Sequence, residues 1–163
     1  MSLHDALLEA HAPPSWDGHI NEAGLAVIKD FEGWRSSVYH CGARSTIGWG
    51  STYDAKGARI TPEHPDIDQQ QGTLLLRQEI RNSEKAIRRI VKAPLNENQF
   101  SSLCSFVYNV GSGNFYRSTM RQRLSRLDYE GAAAEFKRWN RSAGRVLPGL
   151  VRRRRVEQAL FNS

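Results

Sequence analysis

The residues best equipped for chemistry lie within positions 31–52, FEGWRSSVYHCGARSTIGWGST. Leu25, Ile28 and Phe31 recur three apart, the spacing of one helix face, and Glu32 follows at the last turn of that helix. A carboxyl group beside the buried edge of a helix is partly desolvated, which favours its protonated form. The negative end of the helix dipole acts in the same direction. Glu32 is therefore expected to serve as a proton donor. Cys41 follows after eight intervening residues and Thr46 after four more. They offer a thiol and a hydroxyl, groups that hold a water or act as nucleophiles.

The residues after Glu32 read as a glycine-rich β-ribbon. In an extended chain, side chains point to opposite faces at every second residue. Tyr39 and Cys41 then share one face with His40 on the other, and Thr46, Gly48 and Gly50 share a face with Ile47 and Trp49 opposite. A threonine and two glycines leave bare backbone against which a ligand fits, while Ile47 and Trp49 pack beneath. The same residues also describe an ordinary hairpin with glycines at its bends, and the pattern is compatible with both.

The order of residues adds a second line. Phe31-Glu32-Gly33, a tyrosine two residues before Cys41, and the run Thr46-Ile47-Gly48-Trp49-Gly50-Ser51-Thr52 resemble the active-site stretch of phage-type lysozymes, the endolysins of glycoside hydrolase family 24. That family carries glutamate, eight residues, aspartate or sometimes cysteine, then usually five residues and threonine. Glu32, Cys41 and Thr46 match these positions, although only four residues precede Thr46 and Ser51 stands where the family often has histidine. Further on, NQF at 98–100, FVYNVG at 106–111, STM at 118–120, RWNR at 138–141 and LPGLVRRR at 147–154 follow in the family's order. The resemblance covers about residues 21–161.

The resemblance implies an α+β, predominantly helical, lysozyme-like fold, with residues 1–20 as an extension without an assigned role. It places a ribbon lobe over about 33–66, a connecting helix over about 67–92 and an all-helical lobe over about 95–163. The implied substrate is bacterial peptidoglycan, cut at the β-1,4 bond between N-acetylmuramic acid and N-acetylglucosamine. Such a reaction needs an acid to protonate the departing oxygen and a water or nucleophile on the opposite face. Glu32 suits the first role. The second position normally holds a carboxylate, and Cys41 has none. Three arrangements stay open: Cys41 and Thr46 together place a water for attack with inversion, Thr46 places it alone, or another carboxylate such as Asp54 substitutes. A free thiol has a pKa of roughly 8.5, so little of it is thiolate near neutrality. The joint placement of water by Cys41 and Thr46 is the expectation adopted. Tyr39 would flank the sugar beside Gly48 and Gly50, Asn109 would bond an acetamido group, and Arg152 or Arg153 would pair with Glu32 or a lactyl carboxylate.

Composition bounds the alternatives. The chain has 163 residues, 39% hydrophobic, enough for one domain with a sizeable core. No apolar run approaches the ~18 residues of a membrane span, and the first residues lack the charged and apolar regions of a secretory signal. A partner that opens the membrane, such as a holin, is therefore expected to give access to the wall from the host cytoplasm. Residues 1–76 carry 5 basic and 10 acidic groups and residues 77–163 carry 18 and 7, so the halves stand at −5 and +11. A basic half attracts polyanions, yet its arginines are spread along several helices without a nucleic-acid module, so no specific nucleic acid is expected. Cys41 and Cys104 make no disulfide framework, and free thiols are expected. The five histidines are scattered, without a His-Glu-x-x-His helix, so neither metal nor cofactor is expected.

The rest of the chain must position these groups. A short helix is expected at 2–11, and Asn21 should cap the helix leading to Glu32. Residues 53–57 read as a turn, and 67–91 as a long helix whose Arg77, Arg81, Glu84, Lys85, Arg88 and Arg89 look solvated. Asn96 should cap a helix bearing Phe100, Leu103, Cys104, Val107 and Tyr108, and helices are expected over 118–127, 129–139 and 148–161. Phe100, Phe106, Phe115 and Trp139 read as core. Two rival enzymes act on the same walls. A lytic transglycosylase needs the acid alone. A cysteine amidase or peptidase needs a histidine near Cys41, where only His64 lies downstream and His40 points the other way. A monomer is expected.

Overall fold

The computed structural model describes residues 17–163, and for Cys41 the backbone alone. The short helix expected at 2–11 lies outside the described residues. Asn21 accepts the Gly24 N–H at 2.9 Å and starts helix α1 (Glu22–Glu32), as its side chain predicts. Leu25 and Ile28 are buried on one side. Strands β1 (Arg35–Cys41) and β2 (Arg44–Gly48) form an antiparallel ribbon in which Tyr39 pairs with Thr46 and Cys41 with Arg44, with a bulge between Arg35 and Tyr39.

Helix α2 (Gln69–Ile90) is the long connector, opened by a capping box between Asp68 and Gln71. Its 22 residues span about 33 Å at 1.5 Å per residue. Not all of its charges are solvated. Glu84 is 3% exposed and accepts the Ile20 N–H at 2.9 Å, with His19 Nδ1 also at 2.9 Å. This carboxylate ties the entry to α1 onto the connector, which corrects the expectation of a solvated face.

The helical lobe follows: α3 (Glu97–Val110), α4 (Ser112–Tyr116), α5 (Thr119–Leu124), α6 (Tyr129–Glu135), a 3₁₀ turn (Phe136–Arg138) and α7 (Pro148–Phe161). It is not all helical. A two-stranded hairpin, β3 (Arg141–Ser142) with β4 (Arg145–Val146), interrupts it, turning through Ala143 and Gly144 at positive φ. The helix expected to reach Leu127 stops at Leu124, beyond which Arg126 and Leu127 make tighter turns, each bonding three residues back.

Two apolar clusters hold the molecule. The larger fills the helical lobe around Phe106, against which Phe115, Phe136 and Trp139 set their edges at centroid distances of 6.3, 5.3 and 5.4 Å. Phe100, Phe106 and Phe115 are at most 3% exposed, and Trp139 packs on the cluster partly buried. The smaller lies under the ribbon: Ile47, Ile60, Ile67 and Leu75, with Trp34 and Val38 beside them. Helix α1 packs on α3 and α7, so the end of a helical-lobe element delivers Glu32 to the edge of the ribbon. Among the described residues no helix is long and apolar enough to cross a membrane.

Candidate active site

The Glu32 carboxyl is 27% exposed and Arg153 NH1 donates to its Oε1 at 2.9 Å. Of the two arginines considered for this contact, Arg153 makes it. Arg152 instead is exposed, lying 3.8 Å from Asp30 and 4.9 Å over the Phe31 ring. The other oxygen of Glu32 faces the ribbon. A Cβ built on Gly50 would lie 3.8 Å from Glu32 Oε2 and 3.9 Å from the Tyr39 hydroxyl. Gly50 holds a φ of 89°, a conformation side chains rarely adopt. An acid, a phenol and bare backbone thus meet where the two lobes join.

The alternation expected of the ribbon ends earlier than its sequence suggests. Strand β2 stops at Gly48, and Ile47 and Ser51 exchange backbone hydrogen bonds at 3.0 and 2.9 Å around a tight turn. Gly50 therefore faces the acid while Gly48 does not share its face. A Cβ on Gly48 would meet Ile67 at 3.4 Å and Gly72 at 3.5 Å, against the connector. Thr46 is 5% exposed and donates its hydroxyl to the Tyr39 carbonyl at 3.2 Å, so its oxygen keeps only acceptor capacity. Cys41 lies one strand residue beyond His40, which is exposed and pairs across the ribbon with Ser45.

Other candidates are placed elsewhere. The Asp54 carboxylate accepts the Lys56 and Ala58 N–H groups at 2.9 and 2.8 Å, both through Oδ1, and holds its own exposed loop together. His64 holds the Pro65 carbonyl at 2.8 Å on an exposed loop. Cys104 is a free thiol wholly buried in the helical core, where burial pushes it well above the ordinary thiol range.

Around Glu32 the sequence reading gave no site role to Glu79 and Tyr108 on one side or to Arg154 and Glu157 on the other. On the ribbon side, Glu79 of α2 accepts the Thr52 N–H at 2.8 Å with one oxygen and the Tyr108 hydroxyl at 3.3 Å with the other. Burial raises the Glu79 carboxyl, against the pull of those donors, and the charge of Glu32 adds to the rise. Tyr108 is pushed far above the usual phenol range, chiefly by burial and then by the charges of Glu79 and Glu32.

On the helical side, four consecutive arginines divide, with Arg152 and Arg155 outward and Arg153 and Arg154 only 3% and 1% exposed. Arg154 NH2 donates to Asn109 Oδ1 at 2.7 Å, which leaves the exposed amide nitrogen of Asn109 as a donor. Burial lowers the Arg154 guanidinium to about 10. Between the arginines sits Glu157, 0% exposed: its Oε1 accepts from Arg153 Nε at 3.1 Å and the Ser105 hydroxyl at 2.7 Å, and its Oε2 lies 3.0 Å from Arg154 Nε. Helix α7 hides these groups from pattern reading because its buried stripe is ionic rather than apolar.

Known proteins share this arrangement of elements. The phage lysozyme family model matches residues 29–157. The chain is 39% identical to an endolysin of Acyrthosiphon pisum secondary endosymbiont phage 1 over 89% of this chain and 99% of that protein. It is also 39% identical to an endolysin of Bacillus phage PZA, of which it spans only 55%. Among solved structures, a variant of P22 lysozyme superposes with a TM-score of 0.82 at 32% identity, covering 89% of this chain and 99% of that one. The muramidase domain of SpmX from Asticaccaulis excentricus gives 0.75 at 33% identity, again over 89% and 99%. With the family model spanning most of its length and relatives matched nearly end to end, the chain belongs to the phage lysozyme family.

Proposed function

We propose that this protein is an endolysin that hydrolyses the β-1,4 bond between N-acetylmuramic acid and N-acetylglucosamine in bacterial peptidoglycan. The observation that carries the reading is the partly exposed Glu32 carboxyl aimed at the bare backbone of Gly50 beside the Tyr39 hydroxyl. Glu32 gives its proton to the departing oxygen as the bond to the anomeric carbon breaks. What remains is a carboxylate, and Arg153 at 2.9 Å stabilises that charge. A water enters from the opposite face, releases its proton to solvent and leaves an inverted anomer. The Thr46 oxygen accepts a hydrogen bond from this water, and Cys41 on the neighbouring strand helps to place it. Tyr39 flanks the sugar, and the Asn109 amide, fixed by Arg154, donates to an acetamido carbonyl.

In this reading the protein acts as a monomer and accumulates in the host cytoplasm. It reaches the wall once a holin opens the membrane. The names of its relatives, endolysin and muramidase, support wall cleavage. Glu32→Gln should lower the release of reducing ends from purified peptidoglycan by ~10²–10⁴-fold with the fold intact, since a positioned acid contributes on that scale. Undiminished release would refute the assignment. The products also decide the reaction class: 1,6-anhydro ends by mass spectrometry would make the enzyme a lytic transglycosylase, and retained configuration by NMR would exclude inversion. Loss of activity in Cys41→Ala with Glu32→Gln active would mark a cysteine amidase.

A further inference from the structure

Arg153 faces two carboxylates at once. NH1 reaches Glu32 Oε1 at 2.9 Å, Nε reaches Glu157 Oε1 at 3.1 Å, and NH2 lies 3.4 Å from the Ser105 carbonyl. Glu32 is partly exposed to solvent, whereas Glu157 is wholly buried. A guanidinium presents its donors in a fixed planar fork, so the pairing on one side sets the orientation on the other.

We propose that Glu157 is a positioning residue that divides the charge of Arg153, so that Glu32 meets a partly neutralised cation and can cycle between acid and carboxylate. With both carboxylates ionised, the fork is shared. If Glu157 lost its charge, the full field of Arg153 would fall on Glu32 and favour its ionised form. The acid would then be unloaded at a pH where the reaction needs it protonated. The proposal rests on the reading of Glu32 as the proton donor.

The charged and titratable groups around this pair come from several elements. Glu32 is reached by Arg153 from α7, and feels Glu79 from α2 and Tyr108 from α3, with the Tyr39 hydroxyl across from it on β1. Glu157 is faced by Arg153 and Arg154 on its own helix and by the Ser105 hydroxyl from α3. Glu157 thus reaches Glu32 through Arg153, while its second oxygen is engaged with Arg154.

The test compares wild type, Glu157→Gln and Glu157→Asp by initial rates of reducing-end release from purified peptidoglycan across pH. In parallel, the Glu32 carboxyl is titrated by ¹³C NMR. Glu157→Gln should move the alkaline limb of the rate profile, and the Glu32 titration, down by about one pH unit, which is tenfold in rate above the limb. Below the limb the rate should stay near wild type, and Glu157→Asp should restore the wild-type limb. A uniform fall in rate with the limb and titration unmoved would show a merely structural role and overturn the proposal. If Glu157→Gln does not fold, Arg153→Gln replaces it: Glu32 must then titrate at higher pH than in wild type, and an unchanged titration overturns the proposal. Glu32→Gln is run alongside. Activity retained there refutes the proton-donor reading itself, whereas its inactivity with an unmoved limb in Glu157→Gln refutes only the role of Glu157.

Discussion

The two walls of the site are built on opposite terms. The helical wall presents Glu32 through charges closed off from water, with Arg153, Arg154 and Glu157 all at most 3% exposed and braced against α3. The ribbon wall rests on four buried aliphatic residues and on one carboxylate, Glu79, that grips the Thr52 backbone. Charges buried in a densely packed interior tolerate little displacement, because each lost partner leaves an uncompensated ion. A small apolar cluster gives way more readily. Glu32 is thus fixed by the helices, and the freedom to move falls to the ribbon.

Substitutions can break or sharpen this contrast. The largest effect is expected from Phe106→Ala in the helical lobe, a loss of about 3–5 kcal/mol in urea unfolding, as for other large-to-small core changes. Ile60→Ala under the ribbon should cost about 2–3 kcal/mol, within the range for buried aliphatics. Its signature is selective: amide exchange should quicken over 35–60 while α3 and α7 stay protected. Equal acceleration in both lobes would mean that the walls unfold as one.

Glu79 gives a signed pH test. Its folded form holds a proton more readily than the unfolded chain, because burial raises the carboxyl. Its contribution to stability is therefore complete below the ordinary carboxylate range and is lost as pH rises through the raised value. Glu79→Gln should flatten that decline in thermal melts taken at increasing pH. Glu157, raised by burial in the same direction, keeps part of it. An identical pH dependence in wild type and variant would remove Glu79 as the ribbon's titrating anchor. The smallest change belongs to Asp54→Ala, which loosens an exposed loop by about 1 kcal/mol or less and should leave the rate of wall cleavage unchanged. A large loss of rate would return Asp54 to the site.

The sequence showed most clearly those features that have a period or a cap. Asn21 and Asn96 each precede a helix that begins where they stand, and the apolar spacing of α1 led straight to Glu32. Buried charges were harder to see. Glu84, Arg153, Arg154 and Glu157 carry the residue types of a wet surface, and only partners distant in the chain make them interior. Glu79 left a faint trace, four residues after Leu75 and three after Leu76 on the inward side of α2. The ribbon misled for a different reason: strict alternation holds only while the chain stays extended, and the turn after Gly48 re-aims Trp49 and Gly50.

Where α1, the ribbon and α2 converge, Trp34 and Trp49 meet at a tilt of 53° with centroids 4.5 Å apart, and the Lys29 ammonium sits 4.3 Å from the Trp49 ring. They fill the notch left by Gly72, where a Cβ would come within 2.4 Å of Trp34. Two indoles locked in a chiral arrangement form a natural chromophore pair at the seam between the lobes. Near-ultraviolet circular dichroism should therefore report directly whether the seam is shut, and a spectroscopist could watch it open and close without attaching a label.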